Sequence, residues 1–284
     1  MKDKIFKILL WTSAAFIVLI CSGMFYSLTS GSMEAFSHFG FLDFIFGTEW
    51  NPNPESETYG AMPFIIGTLM TAFIALVICI PFALSISLFN GEYFRGKKIS
   101  IFLSSVVDLL AGIPSVIYGL WGFYTIRPVI IDMGLSEQGF SIFTASIVLA
   151  IMIIPYAASL STEFISMVHK EVKEGAYGLG ATRFEVIKNV ILPNASSGIF
   201  ASFILALGRA LAETMAVTML VGNTNQMPSS ILESGNTMAS LIANQFGEAS
   251  GVKLSSLVAI GLLLFALTAM INFVGRLIIK KFES

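Results

Sequence analysis

The sequence predicts an all-α, polytopic membrane protein with about six transmembrane helices. Hydrophobic residues make up 55% of the 284 positions and charged residues only 12%, roughly half of what a soluble domain carries. The apolar residues also gather into six runs, each near or above the roughly 20 residues that cross a hydrocarbon core. A chain of this length has room for those spans and modest loops, so 1–284 is expected to form a single transmembrane domain.

The first run, 6–28, follows Lys2, Lys4 and Lys7. A signal peptide begins the same way, but its apolar core is about 7–15 residues and ends at a small-residue cleavage site. This run is longer and lacks that site, so it reads as an anchor. An outer loop at about 29–62 follows, dense in rings (Phe36, Phe39, Phe41, Phe44, Phe46, Trp50). Rings favour the headgroup level, so this loop is expected to lie at the membrane surface. His38, alone there, reads as a surface residue.

The second span, 63–90, ends in a basic turn, 92–98. Gly91, Gly96, Lys97 and Lys98 approach a phosphate-cradling G-x4-G-K-[ST] loop. Lys98 stands where the magnesium-binding hydroxyl belongs, and a membrane helix precedes it where a strand is required. ATP must therefore be handled by a different polypeptide. The third span, 99–126, contains Asp108 and is interrupted by Gly112, Pro114 and Gly119. Carbonyls freed by Pro114 must be satisfied by protein or water, so this span is expected to face protein or a cavity.

After an outer loop at about 127–139, a fourth span covers 140–164 and is broken by Pro155. The fifth span, 197–221, is followed by an outer loop at about 222–253, rich in Asn, Gln and Ser, and the sixth span covers 254–279. Glu163 and His169, at the edge of the polar interval between spans four and five, read as solvated. Cys21 and Cys79 fall inside apolar runs, where cysteine packs as a small side chain, not as a disulfide or redox pair.

Six spans put both termini on one side. Thirteen of the sixteen Lys and Arg residues flank that side, whereas the outer loops hold only Arg127 and Lys253. The positive-inside rule makes the termini and the loop at about 165–196 cytoplasmic. The outer loops carry nine acids, a field that repels a free dianion. Substrate is therefore expected to arrive enclosed in another protein.

The cytoplasmic interval EVKEGAYGLGATRFEVIKNVILP, 171–193, combines both signs of charge with Gly175, Ala176, Gly178, Gly180 and Ala181. An apolar stripe follows at Phe184, Ile187, Val190 and Ile191. It reads as two short helices meeting at a glycine turn, with small residues admitting a close neighbour and a stripe that needs a cover. An interfacial hairpin without a partner would share those features. Glu174-Gly175-Ala176, three residues, Gly180, nine residues, then Val190-Ile191-Leu192-Pro193 resembles the EAA loop of ABC importer permeases. Gly175 replaces Ala and Val190 replaces Ile. The resemblance implies the type I permease fold and a coupling helix pair seated in an ATP-hydrolysing subunit, contacted through Glu174, Gly175, Ala176, Gly180, Leu192 and Pro193.

Span five reads FASFILALGRALAETMAVTMLV, with Arg209 and Glu213 near its middle. Four residues apart on a continuous helix, they would share one face. A charge at mid-bilayer costs about 2.5–3.5 kcal/mol on insertion scales, so it should face protein or water. The planar guanidinium suits an oxyanion because it offers paired donors and keeps its proton. Arg209 is thus the candidate to meet an anion on its way across, and Glu213 the candidate to hold and neutralise it. A packing pair with no transport role is the bland reading.

LGRALAETMAVTMLVGN in span five and GIPSVIYGLWGF in span three resemble the phosphate-specific ABC importer permeases, as does FGTEWNPNPE in the first outer loop. That resemblance implies inorganic phosphate as substrate and a PstA-like second permease subunit. It further implies a PstB-like ATPase dimer, an extracytoplasmic PstS-like phosphate-binding protein, and residence in the bacterial inner membrane. No HExxH, GxSxG or CxxC motif occurs. No catalytic residue, cofactor, metal or nucleic-acid partner is therefore expected, only lipid around the spans. A permease for sulfate or molybdate, or a stand-alone secondary anion transporter, remains the alternative.

Overall fold

Where apolar runs leave no water for the backbone, every peptide group must bond within its own segment, and helix results. The computed structural model describes residues 2–53 and 56–282; Pro54 and Glu55 of the first outer loop lie outside these. Among the described residues five helical stretches are long and apolar enough to cross a bilayer. They are α1 (Lys2–Phe39), α3 (Met62–Leu88), α7 (Ile142–Met167), α10 (Leu192–Leu211) and α13 (Gly251–Phe282). The remaining crossing is bent. It comprises α4 (Lys98–Ala111), α5 (Ser115–Trp121) and α6 (Arg127–Asp132), with a 93° change of direction at the break before Ser115.

The bent piece is a broken span, not a loop returning to its own side. Gly91, just past α3, lies against Thr162 and Ile165 at the end of α7. At the other end, Gly67 of α3 abuts the Asn236 carbonyl and Ile142 of α7 abuts Gly235. Thus α3 and α7 run parallel, and the chain between them must recross the bundle. Similar contacts set the rest. Ser255 of α13 accepts from the Ala35 amide at 2.9 Å, and Gly275 and Gly208 bring α13 alongside α10 at Ile204 and Asn272. The start of α1 and the end of α13 therefore lie on the side of the 170–191 segment.

The main core is built on α3, α7 and α10. On α3, Ala72, Ala75, Cys79 and Ala83 are fully buried. Their three- and four-residue spacing makes one small-residue face against which α7 packs backbone to backbone. Cys79 belongs to that face, while Cys21 is exposed on α1.

Several sequence expectations are corrected. The first helix runs on to Phe39, well past 28. The aromatic loop is a folded cap, with α2 (Phe41–Phe46) and a hairpin of β1 (Trp50–Asn51) and β2 (Thr58–Tyr59). Trp50 packs edge to face on Tyr59 and Phe64, and Phe44 on Phe36, in a second core with Met238 and Leu257, leaving Phe41 and Phe46 outside. Pro155 does not break α7. The loop expected at 222–253 contains α12 (Met238–Gln245). Its first part inserts into the bundle, with the Met238 amide donating to the Thr68 hydroxyl at 3.0 Å.

Candidate functional site

Two places carry charge that the fold treats specially. The first is the elbow after α7: α8 (Lys170–Gly178), a turn, and α9 (Arg183–Val186), two short helices as the sequence predicts. Gly180 supplies the turn with φ +89, a conformation open to glycine at no steric cost. Thr182 and Glu185 form a reciprocal capping box, with the Thr182 amide donating to Glu185 Oε2 at 2.7 Å. That amide and the Thr182 hydroxyl, which donates to the same oxygen at 2.8 Å, hold the Glu185 carboxyl below the usual carboxylate range. Exposed Glu174 pairs with Lys170 at 3.0 Å, and the hydrogen bond raises the Lys170 ammonium above its ordinary value.

The outer face of the elbow is uncovered. Leu179 is 92% exposed and Phe184 67%. A Cβ placed on Gly175, Gly178 or Gly180 would meet nothing within 4 Å. The predicted apolar stripe is split. Ile187 and Ile191 belong to the main core and Val190 packs against it, so only Phe184 of that set waits for a cover. Of the candidate contact residues, Glu174, Gly175, Gly180 and Pro193 are exposed, whereas Ala176 and Leu192 pack inward.

Pro193 has a mechanical consequence. Lacking an N–H, it cannot bond four residues back, and the helix widens before it. The Leu192 amide reaches five residues to Ile187, making a π turn at Ile187–Ile191. The Asn194 side chain takes up the Val190 carbonyl at 2.7 Å. The same device precedes Pro128, where Arg127 reaches back to Gly122.

The inner face of the elbow is held by contacts that no short motif reveals, since their partners lie far apart in sequence. Lys173 Nζ bonds Glu92 Oε2 at 2.6 Å, with the two side chains only 8% and 12% exposed. Arg183 Nη2 donates to the carbonyls of Tyr93 at 2.7 Å and Glu92 at 3.2 Å, and the guanidinium lies 4.1 Å from the Tyr93 ring centroid. Glu92 and Tyr93 belong to the π turn Phe89–Tyr93 that closes span two.

The second place is the end of α10. Arg209 occupies its last turn and is exposed. The helix stops at Leu211, which corrects the expectation of a continuous span to 221, and with it the shared face for Arg209 and Glu213. Glu213 Oε1 instead accepts from the Ala216 amide at 3.2 Å, capping α11 (Met215–Thr218). Among the described residues the ion pairs are Lys170–Glu174 and Lys173–Glu92; Arg209 joins neither and lies 5.6 Å from the Tyr156 ring centroid.

Two breaks meet beside it. Gly119 of α5 is so close to Ala216 and Met219 that a Cβ would collide with the Met219 sulfur. Tyr118 donates to the Leu110 carbonyl at 2.9 Å, satisfying an acceptor next to the Pro114 break. Asp108 and Glu163, both exposed, line one crevice of about 130 Å³ with Asn90.

Helices broken inside the bundle, an uncovered arginine there and an elbow projecting on one side define a transport subunit of the ABC importer type. Solved structures agree on that fold. A chain of a bacterial alginate ABC transporter, crystallised with an alginate-bound periplasmic protein, matches at TM-score 0.66 and 17% identity, over 95% of this chain and 92% of its own. A chain of the inward-facing MetNI methionine ABC transporter matches at TM-score 0.63 and 19% identity, over 77% and 94%.

The chain belongs to the family of binding-protein-dependent transport system inner membrane components, whose pattern matches residues 80–284. It is 41% identical to the phosphate transport system permease protein PstC of Haemophilus influenzae, over 99% of this chain and 94% of that one. It is 32% identical to the probable PstC of Methanocaldococcus jannaschii, over 89% and 85%. The protein is therefore a multi-pass inner-membrane transport subunit.

Proposed function

We propose that the chain is one half of the membrane channel of an ATP-driven importer for inorganic phosphate. The observation that carries this is the exposed guanidinium of Arg209 at the end of α10. A permanent cation on an apolar span, with no carboxylate among the described residues within ion-pair distance, must face water or another protein. A tetrahedral oxyanion entering that space meets a planar fork of donors that cannot be deprotonated. The PstC names of the relatives favour phosphate among oxyanions.

In this reading residues 1–284 act as one permease domain with cytoplasmic termini. A PstA-like second permease covers the open face at Arg209, and a PstB-like ATPase dimer takes the elbow at Glu174, Gly175, Gly180 and Leu179. A PstS-like binding protein delivers substrate past the acidic outer loops. Closure of the ATPases tilts the spans and exposes Arg209 to each side in turn. Glu213 serves by holding α11 at the break, and Ala176, Leu192 and Pro193 by shaping the elbow's root.

The test is uptake of labelled phosphate, sulfate and molybdate by the complete complex in proteoliposomes. Phosphate uptake that requires ATP and the binding protein supports the reading. Preferred uptake of sulfate or molybdate overturns the substrate, and gradient-driven uptake without the ATPase overturns the mechanism.

A further inference from the structure

Docking alone does not move a span; force must leave the elbow through contacts stiff enough to carry it. The direct covalent routes are the two ends of the elbow, into α7 and α10. The structure assigns a third: a latch of Glu92, Lys173 and Arg183 that ties both elbow helices to the end of span two and positions the broken span that follows. This inference rests on the reading of the elbow as the ATPase docking site.

The latch has two arms. Lys173 of α8 makes its 2.6 Å ion pair with Glu92 in near-complete burial, where loss of one partner leaves the other charge uncompensated. Arg183 of α9 grips the carbonyls of residues 92 and 93 and covers the Tyr93 ring. One guanidinium and one ammonium thus hold consecutive residues of a single π turn from two different helices of the elbow. Neither arm is needed to form the elbow, whose turn is set by Gly180 and the Thr182–Glu185 box.

From that turn the contacts lead onward. Gly91 presses on Ile165 and the Thr162 carbonyl of α7. The Asn90 carbonyl accepts from the Ser100 hydroxyl at 3.3 Å in the first turn of α4. Then α4 leads through the Pro114 break to α5, which packs on α11 two short turns from Arg209. Rotation of the elbow would therefore pull the start of α4 together with the end of α3, and a bent span transmits such a pull as a change at its break. Glu92, Lys173 and Arg183 act as positioning residues, remote from substrate.

The experiment uses the whole importer in proteoliposomes, with three readouts: ATPase retained on purification, ATP hydrolysed, and phosphate taken up per ATP. In Lys173→Met and Glu92→Gln the ATPase stays bound and hydrolysis continues, while phosphate per ATP falls about tenfold. Exchange of the two charges, Glu92→Lys with Lys173→Glu, recovers much of the ratio. Arg183→Gln, at an exposed side chain, gives a drop of about threefold and decides the matter if the buried-pair variants fail to accumulate. An unchanged ratio in Arg183→Gln overturns the latch, as does a loss of hydrolysis and uptake in equal proportion in the pair variants. The docking reading is checked separately by Gly175→Leu, which should release the ATPase. ATPase retained there defeats docking, whereas an unaltered ratio in the latch variants with docking intact defeats the latch alone.

Discussion

The elbow and the break at the end of α10 both present charge and small residues to the outside of the chain, yet they are finished to different degrees. At the elbow every charged group named above has a partner within the chain: Lys170 with Glu174, Lys173 with Glu92, Glu185 with Thr182, Arg183 with two carbonyls. What is left open combines the apolar side chains of Leu179 and Phe184 with the paired, exposed charges of Lys170 and Glu174. At the break the reverse holds. Arg209 has an aromatic neighbour and no carboxylate partner among the described residues, and Glu213 accepts from the amide of Ala216. On the proposed function, the elbow would be a finished half of an interface, whereas Arg209 would belong to a site completed by another chain.

The largest effect should come at the incomplete site. Arg209→Ala should lower phosphate uptake by about a hundredfold or more, because a preorganised charge-assisted contact to the anion is lost. The complex should still assemble and its ATPase remain bound. Arg209→Lys should recover only part of the uptake, since an ammonium lacks the fork. Near-normal uptake in Arg209→Ala would mean that the break carries no substrate.

Next in size is Gly175→Leu. Among the described residues nothing lies within 4 Å of a Cβ placed there, and leucine is a better helix former than glycine. The subunit should therefore fold and pair normally yet lose the ATPase on purification. Retention of the ATPase would move docking elsewhere.

The two sites part most sharply at Glu213. As a cap it can be replaced by an amide, so Glu213→Gln should stay within about threefold of normal uptake, while Glu213→Ala should lose about tenfold through a loosened α11. Loss in Glu213→Gln as deep as in Arg209→Ala would restore the ion pair that the helix break removes.

The smallest effect concerns the turn of the elbow. The Glu185 carboxyl is held below its usual range when folded, so its contribution to the cap is full above the ordinary carboxylate value. It is lost as pH falls through the lowered value. Amide protection at 182–186, corrected for the intrinsic exchange rate at each pH, should be flat from neutral pH to about 5 and fall below, and Glu185→Gln should abolish that dependence. Unchanged pH dependence in the variant would remove the carboxylate from the cap.

The elbow is legible because its signals are local: a glycine turn and a motif with fixed spacing both lie within 171–193. The six crossings were legible from apolar run length. The latch was not, since Glu92 and Lys173 meet only after α3 and α7 pack in parallel, and no window of sequence contains both. The end of α10 was misread because Ala212, Glu213 and Thr214 carry no proline or glycine to mark a stop. The break is imposed by α5 packing on α11 and by the loop that returns toward Thr68. Composition alone points the aromatic loop to the interface, whereas Trp50 meets Tyr59 across the hairpin and Phe64 of α3, and these rings are buried with Phe44.

On the proposed function, this chain moves phosphate only when an ATPase works its elbow. The direct measurement is phosphate uptake into vesicles holding the permease pair and the binding protein, with the ATPase present or omitted. Uptake should appear with the ATPase and ATP and be absent without either. Uptake of equal rate after the ATPase is left out, driven by an ion gradient alone, would contradict the account.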